Sequence, residues 1–118
     1  MTTPVALNLA DLAVSPTAAL FEGHRHADVD VSVFVTRTPP GAVVGLHVHP
    51  YAETFLLLEG RGRWSAGAEV LELEPDQLLV VPAETRHGFR NVGDVPLLVV
   101  SVHDSGTMRQ TWLGQDPA

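Results

Sequence analysis

The stretch Gly41-Ala-Val-Val-Gly-Leu-His47-Val-His49-Pro50-Tyr-Ala-Glu53-Thr-Phe-Leu-Leu-Leu-Glu-Gly60 decides how this chain is read. His47 and His49 are separated by one residue. On a strand that spacing puts both side chains on one face, about 6.6–7 Å apart along the chain. Two imidazoles on one face can converge on one metal ion. Glu53 follows past Pro50. If Pro50 leaves the register unshifted, Glu53, Phe55 and Leu57 share the face of His47 and His49. Two histidines and a carboxylate leave coordination positions open for water, oxygen or substrate. An isolated His-x-His is also an ordinary surface pattern, so the pair needs support from its surroundings.

Outward from this stretch the chain reads as short strands. Val29, Val31, Val33 and Val35 alternate with Asp28, Asp30, Ser32 and Phe34, a period of two. Thr38-Pro39-Pro40-Gly41 forces a turn, because two prolines and a glycine cannot continue a ladder. A strand over Val43–His49 is interrupted by Pro50 and resumes over Thr54–Leu58, with Glu59-Gly60 as the next turn. Arg63–Ser65 and Val70–Leu73 flank a hairpin loop at Ala66-Gly67-Ala68. Leu78–Val81, His87–Asn91 and Val95–His103 are the remaining strands, separated by turns at Pro82 and Gly93-Asp94. Residues 1–20 read as an arm with at most one strand, and the tail after Asp104, with Trp112, as a loose end. About eight strands at regular intervals, without an amphipathic helix, indicate an all-β antiparallel sandwich or barrel.

Composition narrows the chemistry. The 118 residues suit one domain with a real core. The net charge of −7 repels phosphate backbones, so a nucleic-acid partner is not expected. The seven basic residues are all Arg and form no stripe. With no Cys there are no disulfides, thiolate ligands or thiol nucleophiles, and with no Lys there is no Schiff-base chemistry. The missing disulfides are compatible with the cytoplasm. The N-terminus lacks the positive and apolar regions of a signal peptide, and the most apolar run, Val95–Val102, is too short to span a bilayer.

A third imidazole, His87, lies on a separate strand, with Phe89 and Asn91 on its face. If that strand neighbours the first, His87 joins the set. Three neutral imidazoles and one carboxylate suit Fe(II), Mn(II), Ni(II), Co(II) or Zn(II) better than Ca(II) or Mg(II).

Gly41-x5-His47-x-His49-x3-Glu53-x6-Gly60 resembles the first motif of the cupin superfamily at every position. The second motif, Gly-x5-Pro-x-Gly-x2-His-x3-Asn, is matched at Pro82, His87 and Asn91, with Asp76 and Glu84 in place of its glycines. Both look like turn positions, and Asp tolerates a left-handed backbone better than Glu. The resemblance implies an antiparallel double-stranded β-helix, or jelly-roll barrel, over about residues 29–103 of a single cupin domain spanning 1–118. It also implies His47, His49, Glu53 and His87 as metal ligands, a small-molecule pocket at the barrel mouth, and a homodimer. Phe55, Leu57 and Phe89 are the expected pocket wall, although an ordinary core predicts the same burial.

His103, at the end of a long apolar strand, either faces the pocket as an orienting or acid–base group or merely ends the strand. His24 and His26 read as solvated loop residues and Asn91 as a turn residue. Tyr51 and Trp64 are placed at the rim. Glu69, Glu72 and Glu74 read as a solvated strand face. Functionally the expectation is a metal-dependent dioxygenase or isomerase acting on a small molecule. A non-catalytic binding or sensing module is the alternative, because fold does not fix function.

Overall fold

The computed structural model describes residues 3–118. The expected arm begins at Met1 and Thr2, which lie outside the described residues. Two antiparallel sheets face each other. One has six strands in the order β1 (Ala13–Ser15), β2 (Ala18–Glu22), β3 (Ser32–Thr38), β10 (Leu97–His103), β5 (Glu53–Glu59), β8 (Leu78–Val81). The other has five, in the order β11 (Thr111–Trp112), β4 (Val43–Val48), β9 (His87–Asn91), β6 (Gly62–Ala66), β7 (Glu69–Leu73). The two ladders are separate, so the expected barrel is an open two-sheet jelly roll.

The core lies between the sheets. Phe55, Leu57, Val81, Leu97 and Val99 from the larger sheet meet Trp64, Leu73 and Phe89 from the smaller. These are the inward residues of a period-two alternation, as the pleat requires. Trp64 stacks on Phe89 with centroids 4.8 Å apart. Trp64 is therefore core rather than rim, because it shares the inward parity of Gly62 on β6.

Several expectations change. Pro50 does not interrupt one strand; it lies where the chain crosses from β4 in one sheet to β5 in the other. The strand expected from Val29 begins at Ser32. Before it, Ala27 and Val29 donate to the Gly23 carbonyl after a single helical turn, α1 (Gly23–His26), and Asp28 takes φ 56°. Likewise β10 begins at Leu97, after Pro96. The arm supplies two strands, and β2 pairs with β3 from Ala18↔Thr36 to Glu22↔Ser32. The tail is fastened: β11 pairs with β4, Leu46 donates to the Gln115 carbonyl at 2.8 Å, and Leu113 donates to that of Leu46 at 3.0 Å.

On the outer face of the larger sheet, register aligns two rows. One runs Ala19, Val35, Val100, Leu56, Leu78 and the other Phe21, Val33, Val102, Thr54, Val80. The valines of β3 thus face outward, while Phe34 and Thr36 line an interior cavity.

Candidate metal centre

His47 and His87 face each other directly across β4 and β9. The register slips between Val44 and His47: Val44 pairs with Phe89, and His47 with His87, so β4 carries one extra residue. This bulge lets Val44 and His47 both point inward despite opposite parity. The strands are tightly apposed there. A Cβ on Gly88 would lie 2.6 Å from the Val44 carbonyl oxygen, which explains a glycine beside His87. His49 follows β4, and Glu53 opens β5 on the facing sheet, so the chain crossing at Pro50 brings its carboxylate opposite the imidazoles. All four side chains are at most 5% exposed. Their ligand-type atoms lie within 4.8 Å of one another, an arrangement that suits one metal ion.

Each imidazole is oriented by the backbone. Nδ1 of His47 donates to Gly45 O, that of His49 to Arg109 O, and that of His87 to Thr85 O, each at 2.8 Å. Protonation at Nδ1 leaves Nε2 as the free lone pair in the neutral ring. Nε2 of His49 lies 3.0 Å from Glu53 Oε1 without hydrogen-bond geometry and is a buried atom with no hydrogen-bond partner. Nε2 of His87 lies 2.9 Å from the same oxygen. An unpaired buried nitrogen beside a shared carboxylate oxygen is what a cation would resolve, so the residues fit a metal.

The electrostatics are divided. Burial, aided by the neighbouring imidazoles, lowers His47 to about 4 despite its bond to Gly45. Burial also opposes charge on His49, but the Glu53 carboxylate and the Arg109 carbonyl outweigh it and raise its pKa. For Glu53, burial favours protonation, yet His103, His49 and His87 together hold the carboxyl far below the usual range.

His103 faces this cluster. Its Nε2 lies 3.0 Å from Glu53 Oε2, and its Nδ1 lies 3.0 Å from the Tyr51 hydroxyl. Tyr51 is therefore nearly buried behind the site instead of at the rim, because its hydroxyl reaches inward; burial raises its pKa. Both oxygens of Glu53 are thus engaged, Oε1 toward His49 and His87 and Oε2 toward His103.

A cavity of about 360 Å³ adjoins the cluster, lined by His47, Glu53 and His103 together with Phe34, Phe55, Phe89 and others. Phe55 and Phe89 line this cavity. Leu57, expected beside them, lies deeper on β5 in the core with Trp64 and Leu97 and does not line the cavity. Trp112, Met108 and Gln110 of the tail complete the lining, and Trp112 lies 4.9 Å from His47 between ring centroids.

The remaining residues do not line the cavity. Asn91 donates to the Thr38 and Val95 carbonyls and accepts from Gly93 N, pinning two turns. His24 is exposed but contacts Thr107 and Asp30, and His26 accepts from Glu22 N. Glu69, Glu72 and Glu74 are exposed, and Glu72 pairs with Arg63.

Comparison with known proteins agrees with this architecture. The family model for the Cupin domain matches residues 34–103. The chain is 45% identical over 56 residues to polyketide synthase CurC of Streptomyces cyaneus, covering 47% of this chain and 36% of that protein. It is 31% identical over 65 residues to 5-nitrosalicylic acid 1,2-dioxygenase of a Bradyrhizobium species, covering 55% and 31%. Bacillus subtilis oxalate decarboxylase, a protein with Mn(II) centres, superposes with a TM-score of 0.80 at 19% identity, over 89% of this chain and 31% of that one. The matches span no more than half the length of the curated relatives.

Proposed function

The chain belongs to the cupin family, and from that premise we propose that it is a metal-dependent enzyme acting on a small organic molecule, an oxygenase or an isomerase. His47, His49, Glu53 and His87 hold one divalent transition metal. The observation that carries this reading is the buried three-imidazole, one-carboxylate cluster opening onto a cavity. When bound, the metal supplies Lewis-acid or redox chemistry at the cavity wall. Iron, manganese, nickel, cobalt and zinc all accept this donor set.

The chain's own residues have separable tasks. The Gly45, Arg109 and Thr85 carbonyls fix the imidazole tautomers. His103 holds Glu53 Oε2 and, backed by Tyr51, stands where it can exchange a proton with a substrate oxygen. Phe55 and Phe89 exclude water from one wall. Two relatives with small-molecule chemistry in their names support an organic substrate.

We also place the protein in the cytoplasm as a homodimer of single-domain chains. No helix among the described residues is long and apolar enough to cross a membrane. The absence of Cys suits a reducing compartment. The two outward rows contain no acidic residue, so a contact made there brings no carboxylates directly together despite the net charge of −7 on each chain.

Elemental analysis of untagged protein purified without added metal tests the reading. About one equivalent of metal in the wild type, and under a tenth in His47→Ala and His87→Ala, is the expected result. Full occupancy in both variants would remove the ligand assignment. Iron together with substrate-dependent oxygen uptake marks the oxygenase, and zinc or nickel without uptake marks the isomerase. Metal that stays bound without turnover marks a binding module.

A further inference from the structure

The cavity beyond the metal cluster has a chemical signature of its own. Its wall is built from Phe34, Phe55, Phe89, Val99, Met108 and Trp112. Its polar contribution away from the cluster is neutral: the hydroxyls of Thr17, Thr36 and Thr38 and the amide of Gln110. None of the seven Arg side chains lines it. Arg63 is paired with Glu72, Arg86 with Gln115, and Arg61 with the Val92 carbonyl, all away from the cavity. There is no Lys to take their place.

We propose that the cavity takes a ligand with an apolar, aromatic-sized body and no carboxylate or phosphate remote from the metal: a phenol, enol or hydroxy-ketone, not a di-acid or a sugar phosphate. The position of the ligand's oxygens rests on the metal-site reading; the exclusion of remote anions does not. At the cluster, Glu53 cancels one charge of a divalent ion, which leaves room for one anionic oxygen donor. Further in, an anion meets aromatic rings and aliphatic side chains and finds no countercharge. Ring faces repel negative charge and accept the edges of another aromatic system. A volume of about 360 Å³ fits a compact ring system at the lower end of small-molecule pockets. The hydroxyl of Thr36 stands ready for a neutral hydroxyl or carbonyl group on the ligand's rim, while that of Ser101 is already engaged with His103 Nε2 at 3.3 Å.

A matched pair of probes tests the proposal. Equilibrium dialysis at pH 7.5 compares 1-naphthol with 1-naphthoate on the protein as purified and after stripping with EDTA. The stripped protein is expected to bind 1-naphthol at least tenfold more tightly than 1-naphthoate. Gln110→Arg, an exposed change at the cavity's tail wall, is expected to narrow that ratio at least threefold. Trp112→Ala, also exposed, is expected to weaken 1-naphthol binding at least fivefold. Equal or tighter binding of 1-naphthoate by the stripped wild type would overturn the proposal, as would failure of both probes to bind or an unchanged ratio in Gln110→Arg. Metal content is read on the same samples. A protein without metal that keeps the naphthol preference defeats only the metal reading, and a metal-loaded protein that prefers naphthoate when stripped defeats only this one.

Discussion

Burial drives His47 to about 4, whereas His49, against the same burial, is raised by Glu53 and the Arg109 carbonyl. These two directions shape the pH profile of metal-free protein above about pH 4.5, below which the depressed Glu53 carboxyl adds its own loss of stability on acidification. Between pH 4 and 6.5 the unfolded chain carries a proton on His47 that the folded chain lacks, so stability rises with pH across that window. The stabilisation from His49 is complete below pH 6.5 and is lost as pH climbs through its raised value. Metal-stripped protein is therefore expected to be most stable near pH 6.5, with an acid limb worth on the order of 3 kcal/mol between pH 6.5 and 4. Urea melts across pH 4 to 8 check this, and His47→Gln should flatten the acid limb. A wild-type acid limb that survives unchanged in that variant assigns the effect elsewhere. With metal present, affinity is expected to fall below about pH 6, because ligating imidazoles must be neutral. At this scale much was legible. His47, His49, Glu53 and His87 advertise themselves by type and spacing. The carbonyls of Gly45, Thr85 and Arg109 do not, because every residue carries one and only the fold selects which are aimed at a ring.

Two tight loops replace glycine with an acidic residue. Asp76 sits at φ 72° and Glu84 at φ 62°, both in the left-handed region. Asp76 N donates to the Leu57 carbonyl and Glu84 N to that of His49, so the first loop is tied to β5 and the second to the crossing segment after β4. A residue with a Cβ costs about 1–2 kcal/mol in this conformation, partly offset by the lower entropy of its unfolded chain. Glu84→Gly is expected to stabilise the protein by about 0.5–1 kcal/mol, with Asp76→Gly giving less because Asp tolerates the region better. Thermal melts of the two variants measure this, and a lowered midpoint for Glu84→Gly would show that its side chain contributes more than its backbone costs. The two substitutions, and the turns around them, could be read from the sequence. The one-residue bulge between Val44 and His47 has one sequence sign, Gly45, because a glycine inside a strand often marks a bulge, but the sign fixes neither its size nor its register. The crossing at Pro50 was hidden, because proline ends a ladder without saying which sheet receives the chain.

The whole molecule presents an acidic surface with an uncharged apolar band across the larger sheet, where Leu78 and Val80 on the edge strand β8 are 62% and 61% exposed. A monomer rarely leaves such a band uncovered. Light scattering on the wild type is expected to give twice the 12.7 kDa chain mass, and Leu78→Glu with Val80→Glu is expected to give the monomer with its metal retained. A wild-type monomer at 100 µM would rule out this contact. The period-two pattern announced sheets, but not which face of β3 turned inward. Valines on one side and Ser32, Phe34 and Thr36 on the other are both plausible cores, and only the cavity explains why the mixed face won.

Fastening of the tail has a consequence for where ligand choice can be altered in this chain. The family match stops at residue 103, yet Met108, Gln110 and Trp112 line the cavity and Arg109 orients His49. What the pocket selects is thus partly written in a short terminal strap that crosses the mouth, outside the piece that defines the family. Exchanging Met108, Gln110 and Trp112 alone would retune the choice of ligand while the Arg109 carbonyl and the pairing of β11 with β4 keep the scaffold in place, as changing the wards of a lock leaves its case intact.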